Sequence, residues 1–191
     1  MSKSGNQNQL RIIGGKWRGR KLSFAEGRGL RPTPDRVRET LFNWLAPVMA
    51  GARCLDLFTG SGALGLESLS RGATEVIMVD NNPEVISQLK ENLNLLDSPC
   101  AQLLQTDGVN WIQTQNPEPF DIVFLDPPYA DKVLAECIAT LEEKAWLKKQ
   151  AWIYVELPAK EDLPVLPNNW QWHRNKEAGQ VSYHLAHRQV N

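Results

Sequence analysis

Residues 121 to 130 read DIVFLDPPYA. An apolar run from Ile122 to Leu125 stops at a carboxylate, Asp126, and two prolines and a tyrosine follow. Pro127 and Pro128 restrict the backbone and bring no N–H of their own, so their carbonyl oxygens are left to accept from a ligand. The Asp126 carboxylate and the Pro127 carbonyl make two acceptors, with the Tyr129 ring as a flat face beside them. That combination suits an exocyclic –NH₂ on an aromatic base. Such an amine is a poor nucleophile because its lone pair is delocalised into the ring. Accepting both of its N–H groups out of the ring plane favours the tetrahedral form and aims the lone pair at an electrophilic carbon. A purely structural Asp-Pro-Pro-Tyr turn is the competing reading, and it weakens if other acids converge on the same place.

The stretch DLFTGSGALG supplies the first of them. Gly60, Gly62 and Gly65 fit G-x-G-x-x-G between a strand and a helix, the context that pattern needs, although a dinucleotide enzyme would show it too. Asp56, four residues before the first glycine, would repel a pyrophosphate. It would attract a cofactor that carries an ammonium and a sulfonium. Asp80 lies 20 residues beyond Gly60, where doubly wound folds place the acid that accepts ribose hydroxyls. Asp107, followed by Gly108, ends the next strand and could accept from an adenine amine. Each acid alone could cap a helix. Acids at successive strand ends form a stronger pattern.

The elements that must position them alternate. RCLDLF, EVIMVD, AQLLQTD, FDIVFLD and AWIYVEL read as strands. Helices are expected at ALGLESLSR, PEVISQLKENLNLL, Val109 to Ile112 and KVLAECIATLEEKAWL, and a closing hairpin around Gly179. The fold class is therefore α/β, a doubly wound, mostly parallel sheet of Rossmann type with an antiparallel closing hairpin. Its first and fourth core strands are neighbours about 4.8 Å apart, with ligands outside their carboxyl ends. Ahead of it, residues 1–9 read as a disordered tail. Residues 10–50 read as a basic hairpin around Gly14-Gly15 plus a helix capped by Thr33, and 51–191 as the main domain.

The chain has 191 residues and a net charge of −1, enough length for one domain. That near-neutrality hides an asymmetry: residues 1–40 hold ten Lys/Arg against three acids, and the remainder is net −8. A basic head on an acidic body points to a polyanionic partner. Cys54, Cys100 and Cys137 share no metal-ligand spacing and read as reduced thiols, so no metal is expected. Cys100 follows Pro99, as in enzymes that attack cytosine through a thiolate, but it lies away from the switch point. His173, His184 and His187 lack acid partners and read as structural. With neither a signal peptide nor a membrane span recognised, a cytoplasmic location is expected.

These motifs resemble S-adenosylmethionine-dependent methyltransferases. DPPY is similar to the catalytic motif of enzymes that methylate base amines. RIIGGKWRGRKL, RPTPDRVRETLFNWL and LDLFTGSGALGLESLSRGA together resemble the bacterial RsmD family. The resemblance implies methyl transfer from S-adenosylmethionine, leaving S-adenosylhomocysteine, to a guanine N2 in 16S rRNA of the small ribosomal subunit or an assembly intermediate, by a monomer. It implies that Asp56, Gly60 and Gly62 border the methionine end of the cofactor, Asp80 the ribose and Asp107 the adenine, with Phe58, Asn81 and Gly108 in the same set. Thr33 and Arg36 would belong to a segment that closes over the methionine. Asp126, Pro127, Pro128 and Tyr129 would hold the base. Arg11, Lys16, Arg18, Arg20, Lys21 and Arg31 would grip RNA; Trp17 suits packing or base stacking equally. Two rivals stay open: an adenine-amino methyltransferase on RNA or DNA, which shares the tetrapeptide, and a non-catalytic RNA-binding assembly factor. A nicotinamide dehydrogenase is a third, separable by which cofactor binds.

Overall fold

The computed structural model describes residues 8–25, 32–128 and 133–190. Two N-terminal strands, β1 (Gln9–Arg11) and β2 (Lys21–Ser23), form an antiparallel hairpin with a 3-10 turn at Gly15–Trp17 between them. Helix α1 (Asp35–Met49) follows, then β3 (Arg53–Asp56), α2 (Ala63–Ser70), β4 (Glu75–Asp80), α3 (Pro83–Leu95), β5 (Ala101–Gln105), α4 (Gly108–Thr114), β6 (Phe120–Leu125), α5 (Leu134–Glu143) and β7 (Leu147–Pro158). The hairpin β8 (Trp170–Ala178) and β9 (Val181–Gln189) closes the chain.

The main sheet runs β5-β4-β3-β6-β7-β9-β8. The strands from β5 through β7 are parallel, and β9 and β8 join antiparallel. The strand order reverses between β3 and β6, so the expected seam exists. The central parallel strands β4 and β6 are near-continuous apolar runs because both faces are covered. One face packs α1, α2, α3 and the N-terminal hairpin, and the other packs α4 and α5. Trp17 is buried in the first of these cores, so its ring serves packing.

Three boundaries differ from the sequence expectation for local reasons. Helix α1 starts at Asp35 with Pro34 at the cap position, whose carbonyl accepts from Val37 and Arg38. Thr33 instead turns its own carbonyl to the Arg38 Nε. Helix α5 stops at Glu143 because Ala145 takes a positive φ and Trp146 folds back, its amide donating to the Leu141 carbonyl and its indole to the Ile112 carbonyl. Strand β7 begins four residues before the expected 151, since Leu147 pairs with Phe120 and Gln150 with Gln189. Among the described residues no helix is long and apolar enough to cross a membrane.

Candidate active site

At the carboxyl ends of β3, β4, β6 and β7 the sheet opens into a cavity of about 770 Å³. Its floor carries the strand-end acids Asp56, Asp80 and Asp126. Asp126 and Pro127 enter from the seam beside the Asp56 loop, because β3 and β6 pair with Asp56 opposite Phe124. Phe58, Gly60, Asn81, Asp107, Gly108 and Pro128 also line the cavity, and Pro32 to Pro34 form a wall ahead of α1. Gly62 sits behind this surface: with φ at +79° it turns the chain into α2, and a Cβ there would drive into Leu89. Arg36 is exposed and lines no part of the cavity. Tyr129 and Arg31 lie outside the described residues.

The acids are held differently. Asp80 accepts from the Gly60 amide at 3.0 Å and the Asn82 amide at 2.8 Å, which shapes the loops around it. Asp107 Oδ1 accepts from the Asn110 amide and caps α4. Asp56 is 2% exposed, and its Oδ2 accepts from the Thr59 hydroxyl and the Gly65 amide. Burial still pushes its carboxyl up to about 7, against the pull of those two bonds. Asp126 is raised well above the ordinary carboxylate range by burial first, then by the charges of Glu156 and Asp56. Among the described residues neither Asp56 nor Asp126 has an ion-pair partner. The cavity floor is thus short of positive charge, and a cation placed there would be welcomed.

Two further parts of the wall were not singled out from sequence. Glu156, in β7 one residue beyond its last pairing with β6, and the β8–β9 turn, through Ala178, Gln180 and Val181, face the same cavity. Glu156 carries part of the signal used for the other acids, a carboxylate that follows an apolar run, Ile153 to Val155.

A second buried cluster ties the N-terminal segment to the sheet. Arg38 is 1% exposed and Glu67 is fully buried. Arg38 donates to the Thr33 and Arg11 carbonyls, pairs with Asp35 at 2.5 Å and reaches Glu67 at 3.4 Å. Glu67 also accepts from the Ile13 amide at 2.9 Å, the Gly14 amide at 2.7 Å and Arg71 at 2.7 Å. Ser70 completes the junction by accepting from the Trp17 amide and donating to the Gly14 carbonyl. Gly15 fits here only because it lacks a side chain; a Cβ would overlap the Ser70 carbonyl. The hairpin backbone is therefore clamped to α2, while Arg11, Lys16, Arg18, Arg20 and Lys21 stay exposed. Arg20 additionally donates to the Leu95 carbonyl.

Comparison with known proteins agrees with this architecture. A family model described as conserved hypothetical protein 95 matches residues 10–187. A relative named ribosomal RNA small subunit methyltransferase D, from Escherichia coli strain K12, is 50% identical over 182 residues, covering 95% of this chain and 91% of its own. The protein of the same name from Haemophilus influenzae is 45% identical, covering 94% of each chain. The solved structure of the Escherichia coli protein yhhF superposes with a TM-score of 0.90 at 47% identity, over 96% of this chain and all of that one. With most of its length matched at such identities, this chain belongs to the RsmD family and is a methyltransferase.

Proposed function

We propose that this protein transfers a methyl group from S-adenosylmethionine to the exocyclic N2 amine of a guanine in 16S rRNA, within the small ribosomal subunit or an assembly intermediate, as a cytoplasmic monomer. The observation that carries the reading is that the Asp126-Pro127 corner opens onto the same cavity as the Asp56 loop. The cofactor fits the residues present. A cavity of about 770 Å³ is roomy enough for a nucleoside with an amino-acid tail, and among the described residues Asp56 and Asp126 in its floor have no ion-pair partner.

When bound, S-adenosylmethionine supplies a methyl group already activated on a positively charged sulfur, which is why no metal is invoked. Asp56 complements that charge, with Thr33 and the Gly60 loop bordering the methionine portion. Asp80 keeps lone pairs for the ribose hydroxyls beyond the two backbone bonds it accepts. Asp107 has one oxygen committed to the helix cap, so its other oxygen and the Gly108 backbone meet the adenine. Asp126 and the Pro127 carbonyl accept the two N–H groups of the guanine amine, and Tyr129 stacks on the base. The methylated amine carries a positive charge until it loses a proton, and Asp126 is the acceptor in contact with it. Its raised affinity for protons suits that task.

The target base leaves its stack to reach this corner, at a cost of a few kcal/mol. Arg11, Lys16, Arg18 and Lys21, presented on a clamped hairpin, hold the surrounding phosphates. The test is to incubate the purified protein with S-adenosylmethionine and unmodified small subunits or free 16S rRNA, then identify the nucleosides by mass spectrometry. N2-methylguanosine is expected. N6-methyladenosine would replace this reading with the adenine one, and RNA binding without any methylated nucleoside would favour an assembly factor.

A further inference from the structure

Three nucleobases carry an exocyclic amine, and their ring neighbours differ. The adenine and cytosine amines each adjoin a ring nitrogen that accepts hydrogen bonds. The guanine N2 amine lies between N1–H, a donor, and N3, an acceptor, so guanine alone offers a donor ring nitrogen beside its amine. A site that clamps only the amine cannot tell these bases apart, whereas an acceptor fixed beside the clamp can. An ionised carboxylate there completes a contact with guanine and opposes the lone pair of adenine or cytosine.

Glu156 occupies such a place. Strands β6 and β7 are parallel with Leu125 paired to Val155, so Asp126 and Glu156 each lie one residue beyond that last pair, side by side where the two strands part. Both line the cavity, and the Glu156 charge is strong enough at Asp126 to raise its affinity for protons. Glu156 is 5% exposed, and the buried Tyr154 hydroxyl donates to its Oε2 at 2.7 Å. That bond fixes one carboxylate oxygen in place. Burial first, then the nearby acids, keeps the Tyr154 phenol protonated and therefore a donor. None of the roles assigned above uses Glu156.

We propose that Glu156 is the residue that selects guanine, accepting its N1–H while Asp126 and Pro127 hold the amine next to it. This rests on the reading of the protein as a base-amine methyltransferase. The test compares an RNA substrate with guanosine at the mapped target against the same RNA carrying 2-aminopurine riboside there. 2-Aminopurine keeps the 2-amine but has an acceptor at N1. Wild-type protein should prefer guanosine in kcat/KM on the order of 10–100-fold, the scale of one base-edge contact. In Glu156→Gln the Tyr154 hydroxyl still has an amide oxygen to bind, and the amide N–H₂ turned to the base suits N1 of 2-aminopurine. The preference should then fall to roughly threefold or less, with S-adenosylhomocysteine binding by calorimetry unchanged. Tyr154→Phe, which frees the carboxylate without removing it, should erode the preference partway and serves if the first variant does not fold.

Failure of the wild-type protein to methylate guanosine at all would overturn the underlying reading. Methylation of guanosine with an undiminished preference in Glu156→Gln would overturn only the assignment of Glu156. So would collapse of the preference in Asp126→Asn but not in Glu156→Gln, which would make Asp126 the selector.

Discussion

Two clusters of buried carboxylates lie on the same side of the sheet and are treated in opposite ways. Glu67, fully buried, is surrounded by two arginines and two backbone amides that all donate to it. Asp56 and Asp126 sit in the cavity floor with no ion-pair partner among the described residues, and Glu156 adds to the charge crowding Asp126. A balanced cluster holds chain segments together whatever the ligand state. An unbalanced one keeps the protein itself in an unfavourable electrostatic state that a cationic ligand relieves. The pair suggests a physical criterion for telling structural acids from candidate functional ones: whether the protein supplies the counter-charge.

The largest effect is expected at the balanced cluster. Glu67→Ala leaves Arg38 buried without its partner and strips the acceptor from the Ile13 and Gly14 amides. Breaking a buried pair from one side costs about 3–5 kcal/mol, enough to threaten the fold of a domain this size. Denaturant unfolding should show a loss of unfolding free energy of that magnitude, with hydrogen exchange fastest in β1 and β2. An unfolding free energy within about 0.5 kcal/mol of wild type, the range of an ordinary surface change, would mean that the junction carries no stability.

At the unbalanced cluster the same kind of change should spare the fold and strike the chemistry. Asp126→Ala removes a desolvated charge that Glu156 and Asp56 already disfavour, so the unliganded protein should be no less stable. Methyl transfer should fall by about a hundredfold or more, the scale of one lost preorganised contact, while S-adenosylhomocysteine still binds. Turnover near the wild-type rate would refute the amine clamp. A large loss of stability would refute the contrast between the clusters.

Legibility in the sequence followed the same division. Asp56, Asp80 and Asp126 stand out because each closes an apolar run in or just after a parallel strand, and Asp107 because it stands before the glycine that opens the next helix; the topology then delivers them to one edge. The seam between β3 and β6 was readable for the same reason, since alternating strands and helices leave few topologies. Glu156 follows an apolar run too, but Leu157 and Pro158 continue pairing with β9, so in sequence it passes for an interior residue of a longer strand. Arg38 and Glu67 are 29 residues apart, in segments that look independent. Local pattern does not reveal such a partnership, although Arg38 heads the stripe Leu41, Leu45, Met49 that faces the core. The RPTPDRVRE motif contains both Arg36 and Arg38, and only their placement on the helix tells which is exposed and which is buried.

The subtlest consequence concerns pH. Asp56 titrates near 7 in the folded chain, above the ordinary 3.8 of an unfolded one. Between those values the unfolded state has lost a proton that the folded state keeps. Stability therefore falls as pH rises through that window and levels off above about 7. In Asp56→Asn this part of the slope should vanish, while the part due to Asp126 remains. The ionised form that costs stability is the form a sulfonium needs. S-Adenosylmethionine should accordingly bind more tightly as pH rises from 5.5 toward 7.5, by roughly up to tenfold per unit below the titration point. S-Adenosylhomocysteine, which lacks the sulfonium charge, should change less. Calorimetry in buffers of different ionisation enthalpy would count the protons released by each ligand. Equal release by the two would mean that Asp56 answers the ammonium, or neither charge, and the unbalanced cluster would lose its link to the methyl donor.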